Sequence, residues 1–173
     1  AAVGPTDAPW CPNLIMRRVD LKQELAVLLR HRVEVVITSV GAPDPVVAPL
    51  HDIGCLVLAD VASVRHAEKA VAAGVDGLIL LTAGAGGQTG WANGFAFARA
   101  VRRFFDGPIV MAGGVSDGAA IFAAQALGCD PPTWAPSSSL HMKAWPSPAT
   151  SRCWSTAAWT TCSCRRPSPG WRP

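Results

Sequence analysis

Between residues 10 and 128 the chain alternates short, wholly apolar runs with segments in which apolar residues recur every three or four positions. Asn13 to Met16 (NLIM) is the first run. Asp20 is placed to cap the helix that follows, with Gln23 at the capping-box position, and Leu21, Leu25, Leu28 and Leu29 recur at helical spacing. Val33 to Ser39 is rich in β-branched residues and predicts a buried strand. Pro43 suits the start of a helix and Gly54 its end. Cys55 to Asp60 (CLVLAD) predicts a strand. Ser63 caps a helix with Val64, Ala67 and Val71 inward, closed by Gly74. Gly77 to Leu81 (GLILL) predicts a strand and, after a Gly-rich loop, Phe95 to Phe105 a helix. Pro108 to Ala112 (PIVMA) predicts a strand, and Asp117 to Leu127 a helix closed by Gly128.

That is a rhythm of five strands, each followed by a helix. Strands without polar alternation belong to a sheet covered on both faces, hence parallel, and the βα alternation gives an α/β fold. Two architectures fit: an open doubly wound sheet, or part of a (β/α)8 TIM barrel. A complete barrel needs about 250 residues, so the 173 residues here accommodate only an incomplete one of about five βα units. No apolar run approaches the roughly 18 residues of a membrane span, and no basic segment precedes an apolar stretch as in a signal peptide.

Composition divides the chain in two. Residues 131–173 contain no Asp, Glu, Asn, Gln, Val, Ile or Phe, yet hold five of the seven Trp, eight of the fifteen Pro and three of the six Cys. The formal charge of +3 belongs to this tail, which carries Lys143, Arg152, Arg165, Arg166 and Arg172 and no acid; residues 1–130 alone have a net charge of −2. The basic balance therefore does not argue for a nucleic-acid partner. The expected organisation is a domain over 1–130 and a largely irregular tail over 131–173.

Two glycine-rich segments follow strands. In Thr82 to Gly90 (TAGAGGQTG) the bare backbone lets a flat or phosphorylated ligand approach closely, or forms a tight loop with no ligand. The spacing is not that of a dinucleotide G-x-G-x-x-G turn. In Ala112 to Gly118 (AGGVSDG) a strand gives way to a helix, and free N–H groups at a helix N-terminus form an anion site. The alternative is an ordinary βα turn with Ser116 or Asp117 as N-cap. Together, at the ends of adjacent strands, the two favour one shared phosphate-bearing ligand. His31, His51 and His66 read as surface residues. Asp60 ends a strand on the presumed active face, where it faces a ligand or begins a turn. Cys11, Cys55 and Cys129 lack metal-ligand spacing and read as small buried residues; Cys153, Cys162 and Cys164 do not form a convincing zinc set. No metal site is expected.

The segments VVITSVGAPD (35–44), VRHAEKAVAAGVDGLIL (64–80), AGAGGQTG (83–90), FFDGPIVMAGGVSDG (104–118) and AAQALG (123–128) resemble the nitronate monooxygenases, FMN-dependent enzymes also called 2-nitropropane dioxygenases. The resemblance runs from about Ala8 to Asp130. It implies a TIM barrel, FMN as cofactor, an oxidoreductase activity on alkyl nitronates with O2, and a cytoplasmic location without nucleic-acid or membrane partners. By the family's motifs Asn13 contacts the flavin, Gly86 and Gly87 lie near it, and Gly113 and Gly114 hold its phosphate. The family's catalytic His falls at Gln88, which cannot take a proton near neutral pH and can only orient substrate or flavin. The same scaffold serves flavin enoyl and quinone reductases, and a non-catalytic remnant is a further alternative.

By the same resemblance the five strands correspond to the third through seventh of eight, and an eighth, ending in Gly-Thr, should follow AAQALG. One set of synonymous codons for Pro132 to Pro146 spells, in a displaced frame, Tyr-Leu-Gly-Thr-Lys-Phe-Ile-Ala. The tail therefore reads as an out-of-frame translation beginning near Pro131.

Overall fold

In a computed structural model of the chain, residues 10–87 and 89–130 are described. The sequence-based expectations for Gln88 and for the tail lie outside them. Ten elements alternate: β1 (Asn13–Ile15), α1 (Leu21–His31), β2 (Val35–Ser39), α2 (Asp44–His51), β3 (Leu56–Val61), α3 (Val64–Ala72), β4 (Gly77–Leu81), α4 (Gly94–Val101), β5 (Ile109–Ala112) and α5 (Gly118–Ala126).

All five strands are parallel and lie in chain order, β1-β2-β3-β4-β5. A doubly wound sheet would reverse its strand order at a switch point, and none is present among the described strands. The packing agrees. Side chains of α1 to α4, among them Leu28, Leu50, Ala67 and Phe97, share one cluster with Leu14, Val36, Val57, Leu78 and Ile109. The opposite parity of the strands, Val35, Ile37, Leu58, Ile79 and Ala112, forms a second cluster, against which Cys11, just before β1, also packs and to which no helix contributes. Every helix that contributes a buried side chain thus covers the same face of the sheet, and the other face packs against itself. This is the wall of a (β/α)8-type barrel, represented by five βα units.

Register fixes which side chains share a level. Asn13 lies beside Ile37, Thr38 beside Ala59, Asp60 beside Ile79 and Leu81 beside Ala112. In parallel strands such neighbours point to the same face, so Asn13, Ser39 and Asp60 belong to the inner, barrel-axis face.

Local signals mostly operate as expected, with three exceptions. The Ser63 hydroxyl accepts from His66 N at 3.2 Å, and Asp117 caps α5 by accepting from Ala120 N at 2.8 Å, which decides between Ser116 and Asp117. Asp20 does not cap α1 with its side chain. Its two carboxylate oxygens accept from Arg18 Nε and Nη2 at 3.0 and 3.1 Å, because a charged donor two residues away outcompetes a neutral N–H. The helix expected over 95–105 ends at Val101, where the Arg102 guanidinium reaches back to the carbonyls of Phe105, Gly107 and Gly128. Val64, expected inward, is exposed; Ala67 and Ala70 form the buried stripe of α3.

Candidate active site

The carboxyl ends of the strands gather the candidate residues. On the inner face, the Ser39 hydroxyl donates to Asn13 Oδ1 at 2.9 Å. This fixes the Asn13 amide and leaves its NH2 group without an acceptor among the described residues. One step beyond the Thr38–Ala59 pair, Ser39 and Asp60 stand side by side on neighbouring strands. Burial pushes the Asp60 carboxyl up to about 6, since a poorly solvated carboxylate is disfavoured against its neutral acid. No described residue donates to it. Immediately after Ser39, Val40 takes a left-handed φ of 56°, uncommon and strained for a β-branched residue; it turns the chain off β2 at the rim.

The two glycine-rich loops are brought into direct contact. The backbone of Gly84 is packed so closely on that of Gly113 and Gly114 that a Cβ at Gly84 would lie 3.0 Å from Gly114 N. A Cβ at Gly113, whose φ is 115°, would fall onto Ala85 N, Thr82 Oγ1 and the Gly84 carbonyl carbon. Only glycine fits there, for its size and for its backbone. By contrast a Cβ on Gly86, Gly87 or Gly114 would meet no described residue within 4 Å. Close packing below and no described residue above is the shape of a cradle. The backbone N–H groups of Gly114, Val115 and Ser116 have no backbone acceptor among the described residues, so donors for an anion are available. Asp117 uses its own carboxylate on α5, leaving the loop donors to a ligand.

The sequence did not single out Thr82 and Thr89, which brace this cradle. The buried Thr82 donates through Oγ1 to Ala112 O at 3.0 Å, tying the loop after β4 to the end of β5. Thr89 Oγ1 donates to Thr82 O at 2.7 Å, folding the loop back on itself. The available signal was a Thr set directly after an apolar strand, where an unpaired hydroxyl would otherwise be buried.

The remaining candidates are structural. His31 and His66 are exposed, and His51 joins the Asp76 carboxylate at 2.9 Å. Burial pushes the thiols of Cys11 and Cys55 up to about 11 and raises that of Cys129, so all three stay protonated and unreactive. Among the described residues no group of three His, Cys, Asp or Glu could hold a metal, and no helix is long and apolar enough to cross a membrane.

The sequential parallel sheet and the helices on one face define the class, a (β/α)-barrel fold, in which the polar and glycine groups collect at the strands' carboxyl ends. The family model described as nitronate monooxygenase matches residues 10–131. The chain belongs to the nitronate monooxygenase family, a family of oxidoreductases. It is 34% identical over 114 residues to a nitronate monooxygenase of Paraburkholderia phytofirmans, covering 60% of this chain and 31% of that protein. It is 29% identical over 123 residues to a hydroxy-methyl-oxo-octahydroindene-carboxyl-CoA dehydrogenase of Rhodococcus jostii, covering 71% and 35%. Among solved structures, FabK from Thermotoga maritima superposes with a TM-score of 0.68 at 31% identity, over 72% of this chain and 40% of that one. A nitroalkane oxidase from Streptomyces ansochromogenes does so at 0.60 and 32%, over 62% and 35%. The chain spans about a third of the length of the curated relatives it matches.

Proposed function

We propose that this chain forms the FMN-holding wall of a flavin-dependent oxidoreductase of the nitronate monooxygenase type. The observation that carries the reading is the cradle: Gly84 pressed on Gly113 and Gly114, with no described residue over Gly86, Gly87 and Gly114. The loop N–H groups at Gly113 and Gly114 would hold the phosphate. Gly86 and Gly87 would let the isoalloxazine approach the backbone, and the free amide NH2 of Asn13 would donate to it. When bound, FMN supplies the electron-transfer chemistry; the protein's part is binding, orientation and exclusion of water. Gln88 stands in the segment that would face the reacting groups. Its amide can orient a substrate but cannot carry a proton. The substrate on this reading is a small alkyl nitronate oxidised with O2.

A second reading is a flavin-dependent reductase or dehydrogenase acting on an enoyl, quinone or acyl-CoA substrate. The Gln at position 88 favours it, as do two relatives named as carboxyl-CoA dehydrogenases. A third is that the 173-residue chain binds flavin poorly and is catalytically silent.

Titration of the purified chain with FMN, followed by flavin fluorescence and visible absorbance, tests the shared premise. Saturable binding is expected. It should weaken about tenfold, or about 1.4 kcal/mol, in Gly86→Asp, which adds a negative charge where a Cβ meets no described residue. Absence of saturable binding by a chain that circular dichroism shows to be folded would overturn the flavin reading. Given binding, turnover of a nitronate with O2 against NAD(P)H-driven reduction of a quinone or enoyl-CoA separates the first two readings.

A further inference from the structure

Among the described acids, Asp60 alone is neither paired nor exposed. Glu34, Asp44, Asp52, Glu68 and Asp106 are exposed. Asp20 and Glu24 share Arg18, and Asp117 caps α5. Asp76 and Asp130 each lie two residues past a left-handed glycine that closes a helix. They staple the chain back to the strand just before, accepting from Val57 N at 2.7 Å and from Ile109 N at 2.8 Å. His51 and Arg102 complete the two staples at 2.9 and 2.7 Å. Asp60 has no such partner. No fully enclosed side-chain oxygen among the described residues lacks one, so the Asp60 oxygens keep an opening, and on the inner face that opening is toward the barrel axis.

Asp60 stands between two unlike parts of that face. On one side Ser39 and Asn13 are joined at 2.9 Å. On the other, Ile79 is level with Asp60 and packs with Leu81 and Val110. No charged group faces it. The loops that rise from β2, β3 and β4 at Val40 to Ala42, Ala62 to Ser63 and Thr82 to Gly87 contain no ionisable residue. The helices α2 and α3 pack on β3 from the other face, with their charged residues exposed. Over the two farther strands, Arg17, Arg18 and Asp117 are exposed. Cys11, which packs on the inner face just before β1, keeps its thiol proton. Burial alone therefore raises the Asp60 carboxyl, to about 6.

We propose that Asp60 sets the charge of the substrate the site accepts: an anion over this face is held only with a proton on Asp60, so a nitronate enters together with one proton and the ionised carboxylate turns it away. Two negative charges side by side in a poorly solvated place do not both persist, and no cation is present there to offset them. The proton comes from solvent and stays on the carboxyl, which donates it in a hydrogen bond to the bound oxygen; no bond of the substrate is made or broken. Gln88 cannot take this part, since its amide does not titrate. The inference rests on the reading of the site as one for FMN and a nitronate.

Nitrate, a planar oxoanion that stays charged at every pH used, is the probe. It is titrated into the FMN-loaded 173-residue chain and followed by the flavin's visible absorbance. Its apparent Kd should rise about tenfold per pH unit above about pH 6, or roughly 30-fold between pH 5 and pH 7.5. Calorimetry in two buffers of different ionisation enthalpy should find close to one proton taken up per nitrate at pH 7.5. In Asp60→Asn and Asp60→Ala, checked for folding by circular dichroism, the Kd should change less than about threefold over the same range, with no proton uptake. A flat nitrate affinity in the parent, no nitrate binding at pH 5, or the same pH dependence in Asp60→Asn as in the parent overturns the inference and leaves the flavin reading standing. A folded chain that binds no FMN overturns both.

Discussion

Replacing Asp60 by Asn should stabilise the protein, and only above pH 5. The side chain sits on the inner face at the end of β3, where no described residue donates to it and burial pushes its carboxyl from 3.8 to about 6. Between those values the folded chain holds a proton that the unfolded chain has released. Stability therefore falls as pH rises: it is fully present below pH 4, declines through pH 6, and is level above. A rise of about two pH units in ionisation corresponds to about 3 kcal/mol. The carboxyl keeps some contact with water, so we expect roughly 1–2 kcal/mol in practice. Asn keeps the shape and removes the charge. Urea unfolding of the full chain, followed by circular dichroism, should show Asp60→Asn and the parent within about 0.5 kcal/mol of each other at pH 4 and separated by about 1–2 kcal/mol at pH 7.5. An equal difference at both pH values would show that the carboxyl is as well solvated in the folded chain as in the unfolded one. The placement of Asp60 on a shielded inner face would then be wrong.

Two other substitutions probe the supports of the site. Gly113→Ala forces a Cβ onto Gly84 and Ala85 at a φ of 115°; it should cost about 2–4 kcal/mol in urea unfolding, whereas Gly86→Ala, where a Cβ meets no described residue, should cost less than about 1 kcal/mol. Arg102→Lys keeps the charge but cannot span the carbonyls of Phe105, Gly107 and Gly128 and the Asp130 carboxylate. It should lower stability by about 2 kcal/mol, measured by thermal melting, and an unchanged Tm would mean that this staple does not hold the start of β5.

Much of the fold was legible because its strands are short apolar runs separated by capped helices. Ser63 and Asp117 marked helix starts correctly because nothing nearby competes for their oxygens. Asp20 misled for the opposite reason: Arg18 is close enough to take its carboxylate, a tertiary-scale contest that a capping pattern does not register. Periodicity alone left the choice between an open sheet and a barrel wall open, since runs such as GLILL are apolar on both faces and do not say which side the helices cover; the family resemblance pointed to the barrel, as the structure has it. Of the candidate site, the meeting of the two glycine loops followed from their places after adjacent strands. The roles of Thr82, Asp76 and Asp130 did not, although the repeated Gly-x-Asp was visible. A single aspartate before an apolar run looks like a loop residue until its carboxylate is found on the neighbouring strand's first N–H.

The chain-order sheet has a bearing on how the protein comes into being. Each strand pairs only with strands next to it in sequence, and each of the two aspartate staples ties a helix end back to the strand just before it. Every unit can therefore dock on its predecessor as soon as it leaves the ribosome, with short loops to close. Growth is directional: at any moment the newest strand is the only template for the next. An interruption at any stage would accordingly spare every contact already made upstream. Such a product would be a well-ordered intermediate halted in assembly rather than a globally misfolded chain.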